Sequence, residues 1–554
     1  MNFKLKITKI NFFLKKININ DSQLSNFGFG HQSHLSMIPI PTESEILQIP
    51  TYPYKTIYDP IHGHITFSKI MWDIIDTPQF QRLRNLKQLS TSYFIFPGNN
   101  HTRFEHCLGT GFLSNDLINR CFDILNNSNN KSEEKFPYNE IEYLKNCVSI
   151  AGLCHDIGHG PFSHSFENIL KRMGISWWDH EEFGGRILEY LIDDNNIDDI
   201  DKEMLKMINS LIEGNNINKS EYKWIYQIVA NKENSIDVDK FDYIQRDIFH
   251  SGVKTLSVDY ERIFKDINII DNNICFNAKN DINLHSLFQA RYHLHQKIYN
   301  HPQSICVESM INDALFLSKD YFKISEAITS PEKFIKLDDK ILDTILTFSL
   351  NQDEDINSDK NLLEAEKLVK KVYNRDFYSI IGEIPIPIGK DENPKLEEFL
   401  CNENPKDEYY LTEKDIELRK KNINFGFKDK NPFKTINFFN SKRPNICFKK
   451  SMEHLLIMPQ VFSESTILVF CKDKKKNQRA KNLFEIYKNK LYQKWNLMDS
   501  PKNKYFEKFD IGGKLLFNDK EVKNMSTPKF GIGSYLKKRE RSDKNENFDD
   551  SNEK

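Results

Sequence analysis

Apolar residues recur at three- and four-residue spacing through most of the first 320 positions, and this periodicity predicts amphipathic helices. The pattern is clearest in ILEYLIDD after Gly185, in YLKNCVSIAGLC before His155, and in LHSLFQARYHLHQKIYN at 284–300. Asparagine-rich patches at 126–130, 195–196 and 215–216 predict surface loops between the helices. We therefore expect a helical core in this part of the chain.

The C-terminal third has a different pattern of apolar residues. NICF at 445–448 and STILVFC at 465–471 are short β-type runs, and a helical segment follows them at 482–495. This order predicts a smaller α+β lobe beside the helical core. The predicted organisation is a poorly ordered N-terminal extension at 1–50, a helical domain at 51–320, an α+β lobe at 321–535 and a charged tail at 536–554.

Composition excludes several classes of protein. The 554-residue chain is 39% hydrophobic, which suits a globular protein with a large core, and its net charge of -2 provides no overall field that favours nucleic acid. Nine cysteines without a C-x-x-C pair indicate a reducing compartment and argue against a disulfide framework or a zinc ribbon. No apolar run approaches the ~20 residues that cross a membrane. We expect a protein of the cytoplasm, the nucleus or both.

Two histidines and two aspartates form the strongest chemical pattern: His106, the adjacent pair His155-Asp156, and Asp239. Any one of them alone has a simpler interpretation, as a hydrogen-bonded histidine or a helix N-terminal charge. In the apolar surroundings of the His-Asp pair, however, an unpaired polar group would cost about 1–3 kcal/mol. The combination therefore predicts the divalent metal site of a hydrolase acting on phosphate esters. The glycines that follow, beginning at Gly158, are predicted to end a helix where the metal must approach.

Helical spacing directs further polar side chains toward this site. Arg103 stands three residues before His106, so the two are predicted to share a helix face. Asp239, Tyr243 and Asp247 recur at every fourth residue and are predicted to share another. A metal ion, a cation, an aromatic ring and a second acid would then face one space.

Five motifs occur in the order that is typical of one enzyme family. They are DPIHGHI at 59–65, DTPQFQRLR at 76–84, FPGNNHTRFEH at 96–106, HDIGHGPFSH at 155–164 and DVDKFDYIQRD at 237–247. These motifs resemble those of the SAM-and-HD-domain deoxynucleoside triphosphate triphosphohydrolases, and the similarity runs from about residue 55 to about residue 378 and weakly through 430–439. Enzymes of that family cleave a dNTP into deoxynucleoside and inorganic triphosphate, and so control dNTP levels.

The resemblance implies a mostly α fold, with an HD-domain metal-dependent phosphohydrolase core at 51–320 and a C-terminal lobe that serves regulation or oligomerisation. The residues before the first motif are too few for the family's N-terminal SAM module. One divalent metal ion per active site is implied, held by His106, His155, Asp156 and Asp239. The sequence does not choose among Zn, Mn, Fe and Mg, and Mg²⁺ can also accompany the nucleotide. The active form is implied to be a homotetramer assembled by GTP and dNTP activators.

By resemblance, His180 is the catalytic histidine, which transfers a proton to the leaving oxygen or orients the water. His159 and His164 correspond to residues that flank the phosphates and assist catalysis. Without the resemblance, either of them could simply hold the loop after Gly158.

The chain has no P-loop, so other cations have to neutralise the triphosphate. Arg103, Lys240 and Arg291 are the main candidates, and Arg103 is the strongest because a guanidinium binds phosphate in a bidentate manner. Lys297 is a further candidate, for which a solvated surface position is an equally good interpretation. Arg291, His295 and Tyr299 stand at i, i+4 and i+8, which predicts that they share one helix face.

The resemblance also implies how the sugar is bound. Tyr299 packs under the deoxyribose and, with Leu89, leaves no space for a 2′-hydroxyl, while Gln88 and Asp247 bind the 3′-hydroxyl. From spacing alone, an aromatic residue on such a face is more often core than pocket, and the motif match reverses that preference. The complete set of implied substrate-binding residues is Gln88, Leu89, Arg103, His159, His164, Lys240, Tyr243, Asp247, Arg291, His295, Tyr299 and Asn300.

The activator sites are implied by the resemblance alone, and the chain departs from the family pattern there. Tyr58 replaces an asparagine, Asn277 an arginine, Pro302 a lysine and Ser379 a lysine. Because lost cations weaken phosphate binding, activation is expected to be looser, differently selective or absent. The implied residues are Lys55, Asp76, Gln81 and Arg84 for guanine nucleotide, and Arg262, Lys279, Asn283 and His301 for the activating dNTP. Arg375 matches a further arginine of the family's allosteric nucleotide-binding set.

Three other functions remain open from the sequence. An HD-type phosphodiesterase or phosphatase for cyclic or monophosphate nucleotides would need neither an extended cationic path nor an activator pocket. A nucleic-acid-binding protein would show a basic stripe with interleaved aromatic residues, which is not evident here. A catalytically inactive scaffold is disfavoured because His180 and the whole metal set are present.

Overall fold

The computed structural model describes residues 55–127, 137–215, 222–254, 258–348, 359–407, 409–453 and 456–497. They belong to one compact unit, Tyr54–Lys554. The predicted N-terminal extension and the charged tail lie outside the described residues, as do positions 128–130 and 216 of the asparagine-rich patches.

Helices form most of the regular structure before residue 380. In chain order they are α1 (Lys69–Ile75), α2 (Pro78–Gln81), α3 (Arg103–Asn127), α4 (Tyr138–Cys154), α5 (His164–Arg172), α6 (His180–Asp194), α7 (Lys202–Ile212), α8 (Val238–Ser251), α9 (Tyr260–Lys265), α10 (Asp281–Leu294), α11 (Pro302–Ser318), α12 (Ile324–Ala327), α13 (Pro331–Phe334), α14 (Ile341–Leu346), α15 (Lys360–Tyr373), α16 (Leu396–Leu400) and α17 (Asn477–Lys494).

Aspartates begin three of the helices that matter for the site. The side chains of Asp179, Asp201 and Asp237 accept hydrogen bonds from backbone N–H groups in the first turns of α6, α7 and α8. Such caps satisfy amide groups that have no partner within the helix. The cap at Asp237 fixes the start of α8, and so places Asp239 in its first turn.

The strands form three small sheets. They are β1 (Lys55–Asp59), β2 (Gly63–Phe67), β3 (Ile267–Ile270), β4 (Asn273–Asn277), β5 (Ser379–Ile386), β6 (Ile416–Asn424), β7 (Phe438–Asn440), β8 (Arg443–Phe448) and β9 (Ser463–Cys471). β1 and β2 pair as an antiparallel hairpin, β3-β4-β7-β8 form a sheet in which β4 and β7 run parallel, and β5-β9-β6 form an antiparallel sheet.

Segments distant in the chain share the hydrophobic cores. The largest core is built mainly by α1 to α10, and Phe425 and Phe433 join it from the C-terminal region. Both rings lie within 6.0 Å of the Phe288 ring on α10. A second core joins α11, α14 and α15 and includes Phe162, and a third lies between β5, β6, β9 and α17. The C-terminal region is thus packed against the helix that carries Arg291.

The predicted fold class is confirmed: the protein is mostly α with a smaller α+β part. The β-type runs lie in β8 and β9, and the helix predicted at 482–495 lies in α17. The helix predicted at 284–300 is α10 followed by a π-helical turn, His295–Tyr299. The domain boundaries stay predictions. Among the described helices, none is long and apolar enough to cross a bilayer.

Candidate active site

Three helices bring the predicted metal ligands together. Arg103 and His106 lie in the first turn of α3, α4 ends at Cys154 directly before the His155-Asp156 pair, and Asp239 lies in the first turn of α8. His106 is buried inside the helical core, and Asp239 is the most exposed of the four ligands. The pair therefore occupies the end of a buried helix, where its side chains can face α3 and α8.

The glycine after the pair serves close packing rather than helix termination. α4 ends at Cys154, four positions before Gly158, so the glycines do not end it. A Cβ atom on Gly158 would lie 2.0 Å from the carbonyl oxygen of His180 and 2.6 Å from the amide nitrogen of Gly184. Only glycine allows this approach. It lets α6 lie directly against the loop and places His180 beside His159.

Three ligand atoms, from His106, His155 and Asp239, lie within 4.8 Å of one another, and an oxygen of Asp156 lies beside the two imidazoles. His106 Nε2 lies 3.1 Å from His155 Nε2, 3.1 Å from Asp239 Oδ1 and 3.5 Å from Asp156 Oδ2. His155 Nε2 lies 3.5 Å from each of the same two carboxylate oxygens. Atoms about 2.0–2.2 Å from a single ion in tetrahedral or octahedral geometry are separated by about 3.0–3.5 Å. The spacing and the donor types therefore fit one divalent ion.

Hydrogen bonds on the far side of each imidazole orient its Nε2 atom toward this point. His155 Nδ1 donates to the carbonyl of Gly152 at 2.9 Å, and His106 Nδ1 donates to Asp242 Oδ2 at 2.7 Å. Burial lowers the pKa of His106, but its contacts with Asp239 and Asp242 outweigh burial and raise the pKa to about 10. A metal ion at His106 has to displace this proton, so metal binding releases protons.

A buried ionic network supports His106 from behind. Asp242 accepts hydrogen bonds from Arg246 at 2.8 and 2.9 Å and from His62 Nε2 at 2.7 Å, and Arg246 donates to Asp59 Oδ2 at 2.9 Å. The positive charge of buried Arg246 is compensated by the carboxylates of Asp242 and Asp59. Although burial alone would raise the pKa of Asp242, its contacts with Arg246 and the two histidines hold that pKa well below its usual range. The β1-β2 hairpin is thereby tied to the metal site.

We expect Asp242→Asn to lower metal affinity by about 10–100-fold, the usual effect of losing a carboxylate behind a histidine ligand. The matched control is Asp59→Asn, which also removes a carboxylate from Arg246 but does not touch His106. Metal affinity by isothermal titration should fall for Asp242→Asn and stay near the wild-type value for Asp59→Asn. Equal losses in both variants would mean that the network acts only through Arg246.

The predicted catalytic histidine lies beside a carboxylate and a second imidazole. His180 Nδ1 is 2.9 Å from Glu167 Oε1, and the His180 ring stacks on that of His159 with centroids 4.0 Å apart. Burial lowers the pKa of His180, but Glu167 and Asp156 outweigh burial and raise it. Burial and Arg103 instead hold the pKa of His159 well below its ordinary value. The pKa values of the two stacked rings are therefore shifted in opposite directions, which favours the protonated form of His180 and the neutral form of His159.

The loop between the histidines has a constrained backbone. Phe162 and Ser163 both have a φ of +57°, which non-glycine residues rarely adopt. Asp339 compensates by accepting hydrogen bonds from the amides of Phe162 at 2.7 Å and Lys87 at 2.8 Å. Arg103 Nε donates to Ser163 Oγ at 2.8 Å. The hydrogen bonds from Asp339 and Arg103 hold the loop in one conformation, and this fixes the positions of His159 and His164.

Arg103 also contacts the metal cluster. Its Nη1 atom donates to Asp156 Oδ2, so one guanidinium joins the loop to a metal ligand. Arg291 is held from the C-terminal region, where its Nη1 atom donates to the carbonyl of Asn424 at 2.7 Å. Lys240 Nζ lies 3.2 Å from Asp237 Oδ1. The three predicted phosphate-binding cations are thus positioned by contacts of their own.

At the predicted sugar end, two residues converge on Asp247. Tyr299 donates its phenolic hydrogen to Asp247 Oδ2, and His101 Nε2 donates to Asp247 Oδ1 at 2.7 Å. The His101 ring stacks on His250 at 4.4 Å. Asp247 is thereby fixed in orientation.

One cavity of about 1340 Å³ collects the predicted site residues. It is lined by Gln88, Leu89, Arg103, His106, His155, Asp156, His159, His164, His180, Asp239, Lys240, Tyr243, Asp247, Arg291, His295, Tyr299 and Asn300. These are all the residues predicted to bind metal, act in catalysis or bind substrate. Their individual roles stay predictions.

Comparison with known proteins identifies the family. Residues 103–247 match the HD domain. The chain is 36% identical over 454 residues to "Deoxynucleoside triphosphate triphosphohydrolase SAMHD1 homolog" of Dictyostelium discoideum, covering 81% of this chain and 82% of that protein. It is 34% identical to the "Deoxynucleoside triphosphate triphosphohydrolase SAMHD1" of Bos taurus, covering 83% and 84%, and 33% identical to that of Homo sapiens, covering 79% and 74%.

The chain belongs to the SAMHD1 family. The recognition made from the five motifs is confirmed, and the HD match spans the segment from Arg103 to Asp247. In this SAMHD1-family protein, all four predicted metal ligands lie within the segment that matches the HD domain.

The activator residues implied by the family lie outside the cavity. Lys55 forms an ion pair with Asp76 at 2.8 Å, and the Arg84 guanidinium lies 3.5 Å above the Phe104 ring and donates to Gln81 at 2.7 Å. The other implied activator residues make local contacts. Asn283 accepts a hydrogen bond from the amide of Asp259, and the amides of Arg262 and Lys279 donate to the capping side chains Asp259 and Asn277. His301 caps α11, and Arg375 donates to the carbonyl of Phe94. The structure does not test whether these residues bind nucleotide.

Sequence reasoning missed the supporting residues of this SAMHD1-family site. Asp242 and Arg246 stand four residues apart in the fifth motif, a spacing that signals a helical ion pair. Asp59 lies in the first motif without an assigned role, and the sequence contains no signal that joins it to Arg246 187 positions later. Glu167 was also missed, although it follows His164 by three residues on α5.

Proposed function

We propose that this protein hydrolyses deoxynucleoside triphosphates to deoxynucleoside and inorganic triphosphate. The observation that carries this proposal is the single cavity in which the metal cluster, three phosphate-binding cations, the catalytic histidine and the sugar-binding residues lie together. Cavities for small ligands usually measure about 300–1,000 Å³, so a nucleotide fits in this one. The relatives named above act on the same class of substrate.

We assign metal binding and proton transfer to different residues of the cavity. His106, His155, Asp156 and Asp239 would hold the divalent ion. When bound, that ion would lower the pKa of a coordinated water to about 7 and polarise a phosphoryl oxygen. His180, whose pKa is raised above the ordinary value, is suited to donate a proton to the leaving 5′-oxygen.

The phosphate chain needs positive charge in fixed positions. Arg103 is held by Ser163 and Asp156, and Arg291 by Asn424. Fixed guanidinium groups bind phosphate oxygens with less loss of side-chain entropy than free ones. This arrangement supports a triphosphate more than a monophosphate, because three predicted phosphate-binding cations line the same cavity.

The reaction products test the proposal directly. Purified protein with a divalent metal ion is incubated with each of the four dNTPs, with and without GTP, and the products are separated by anion-exchange chromatography. Inorganic triphosphate and deoxynucleoside are expected. Pyrophosphate with dNMP would assign the protein to a different phosphohydrolase class, and hydrolysis of cyclic nucleotides alone would favour the HD phosphodiesterase alternative.

Sugar selectivity gives a second prediction. Leu89 offers no hydrogen bond to a 2′-hydroxyl, and Tyr299 is expected to fill the volume that the hydroxyl needs. An unpaired buried hydroxyl costs about 1–3 kcal/mol, so the wild type should prefer dGTP over GTP as substrate by about 100-fold or more. Tyr299→Ala should lower dGTP turnover and narrow that preference, measured as kcat/KM with any activator held constant.

The matched control is Tyr299→Phe, which keeps the ring and loses only the hydrogen bond to Asp247. Tyr299→Phe should retain the preference for dGTP because the ring still occupies the 2′ position. Equal hydrolysis of dGTP and GTP by the wild type would contradict the deoxynucleotide assignment.

We further propose that GTP and dNTP activators assemble a homotetramer in the cytoplasm, the nucleus or both, with looser activation than the family pattern implies. The support is that the activator residues lie outside the cavity and that Tyr58, Asn277, Pro302 and Ser379 replace residues of the pattern. Light scattering with and without GTP and dNTP tests assembly. An unchanged molar mass together with an unchanged rate would contradict activation.

A further inference from the structure

A second set of metal-ligating side chains lies beside the first. His159, His164, Glu167 and His180 each present one ligand atom, and these atoms all lie within 4.8 Å of one another. Three imidazoles and one carboxylate are the donor types that zinc-class ions prefer. The set shares no residue with the four ligands of the first cluster.

The short contact between Glu167 and His180 does not meet the criteria of an aligned hydrogen bond. His180 Nδ1 lies 2.9 Å from Glu167 Oε1, yet this buried nitrogen has no hydrogen-bond partner in the part of the chain that the structure describes. His164 Nδ1 lies 3.4 Å from the same carboxylate oxygen. A close nitrogen and oxygen without an aligned hydrogen bond between them can both bind a third atom.

His159 adds a ligand atom with a free lone pair. Its Nε2 atom lies 3.2 Å from Asp156 Oδ1, and its buried Nδ1 atom has no hydrogen-bond partner among the described residues. A histidine whose other nitrogen faces a carboxylate is the usual form of a metal ligand.

We propose that His159, His164, Glu167 and His180 bind a second divalent cation of the zinc class next to the first metal site. Asp156 connects the two, because its Oδ2 atom belongs to the first cluster and its Oδ1 atom faces His159. Two metal ions at adjacent sites are common in enzymes that act on phosphate esters.

The second ion is inhibitory, and this consequence rests on the proposed function. A cation bound to His180 occupies the lone pair that would otherwise carry the proton to the leaving oxygen. It also removes His164 and His159 from the phosphates that they are predicted to flank. Zinc in excess of the first site should therefore slow hydrolysis, and chelation that removes only the second ion should restore it.

The test counts ions in the full-length protein without nucleotide. Protein with its first site loaded is equilibrated with Zn²⁺, desalted and analysed by inductively coupled plasma mass spectrometry, and a parallel titration with Co²⁺ follows visible absorption. The wild type should bind a second equivalent, with a tetrahedral Co²⁺ spectrum. Glu167→Gln and His164→Ala should bind the second ion at least about 10-fold more weakly and keep the first.

Two features keep the result decisive. Glu181→Gln carries the same chemical change one residue after His180 and should retain the second equivalent, and His164 is 73% exposed, so its loss does not threaten folding. A wild type that stops at one equivalent would overturn the proposal, as would an unchanged second equivalent in both Glu167→Gln and His164→Ala. Because no nucleotide is present, the ion count is independent of whether the protein hydrolyses dNTPs.

Discussion

His106→Ala and Asp156→Ala should lose both the bound metal ion and dNTP hydrolysis. Each change removes one ligand from a cluster in which the two imidazoles lie 3.1–3.5 Å from each other and from the two carboxylates. Losing a carboxylate or imidazole behind the ligands costs about 10–100-fold in metal affinity, so losing a ligand itself should cost more than about 100-fold. Hydrolysis should fall to background, because the activated water depends on the ion. Elemental analysis and product chromatography measure the two losses.

Stability must be separated from metal loss in this experiment. Asp156 pairs with buried Arg103, and removing one partner of a buried pair costs about 3–5 kcal/mol of folding stability. His106→Ala leaves that pair intact and is the cleaner variant. His64→Ala, an exposed histidine outside the cluster, is the control. Full metal content and full activity in either ligand variant would show that the ligand assignment is wrong.

His180→Ala should keep metal and substrate affinity and lose rate. A residue that transfers a proton in the transition state typically contributes about 10²–10⁴-fold, and its loss falls on kcat rather than KM. His180 does not belong to the first metal cluster, so elemental analysis of protein loaded only at that site should find the wild-type content. An unchanged kcat with a raised KM would make His180 a substrate-binding residue.

Glu167→Gln offers an independent check on the same role. In the wild type, Glu167 and Asp156 raise the pKa of His180 against the effect of burial. Removing the Glu167 charge should lower that pKa. If His180 acts as the proton donor, activity is lost as His180 deprotonates, so the alkaline limb of the kcat profile should move to lower pH. A profile that keeps its alkaline limb would contradict proton donation by His180.

The sequence could predict the site residues because their chemistry is local. His155 and Asp156 are adjacent, Arg103 and His106 lie within one helical turn, and Asp239 begins a capped helix. Helical periodicity predicted α4, α6 and α10 because each buries an apolar face. It could not predict the π-helical turn at His295–Tyr299, since a single extra residue in a turn leaves the apolar spacing almost unchanged.

The supporting contacts could not be predicted in this way. Asp59 and Arg246 are 187 positions apart, and Asn424 lies 133 positions from Arg291. No pattern along the chain joins such pairs, because their meeting depends on how complete elements pack. The role of Gly158 was likewise predicted wrongly, since its reason is the backbone of α6, a neighbour only in three dimensions.

By itself, the sequence determined the fold class and the family and predicted the metal ligands, because these depend on side-chain type and on spacing within single helices. Only the tertiary structure decided which groups orient His106 and that a second set of metal-ligating side chains lies beside the first. It also decided the pKa shifts: Glu167 and Asp156 raise the pKa of His180, while burial and Arg103 lower that of His159. The physical reason is that pKa values and ligand geometry depend on distances of a few ångströms between buried groups, and the packing of distant segments sets those distances.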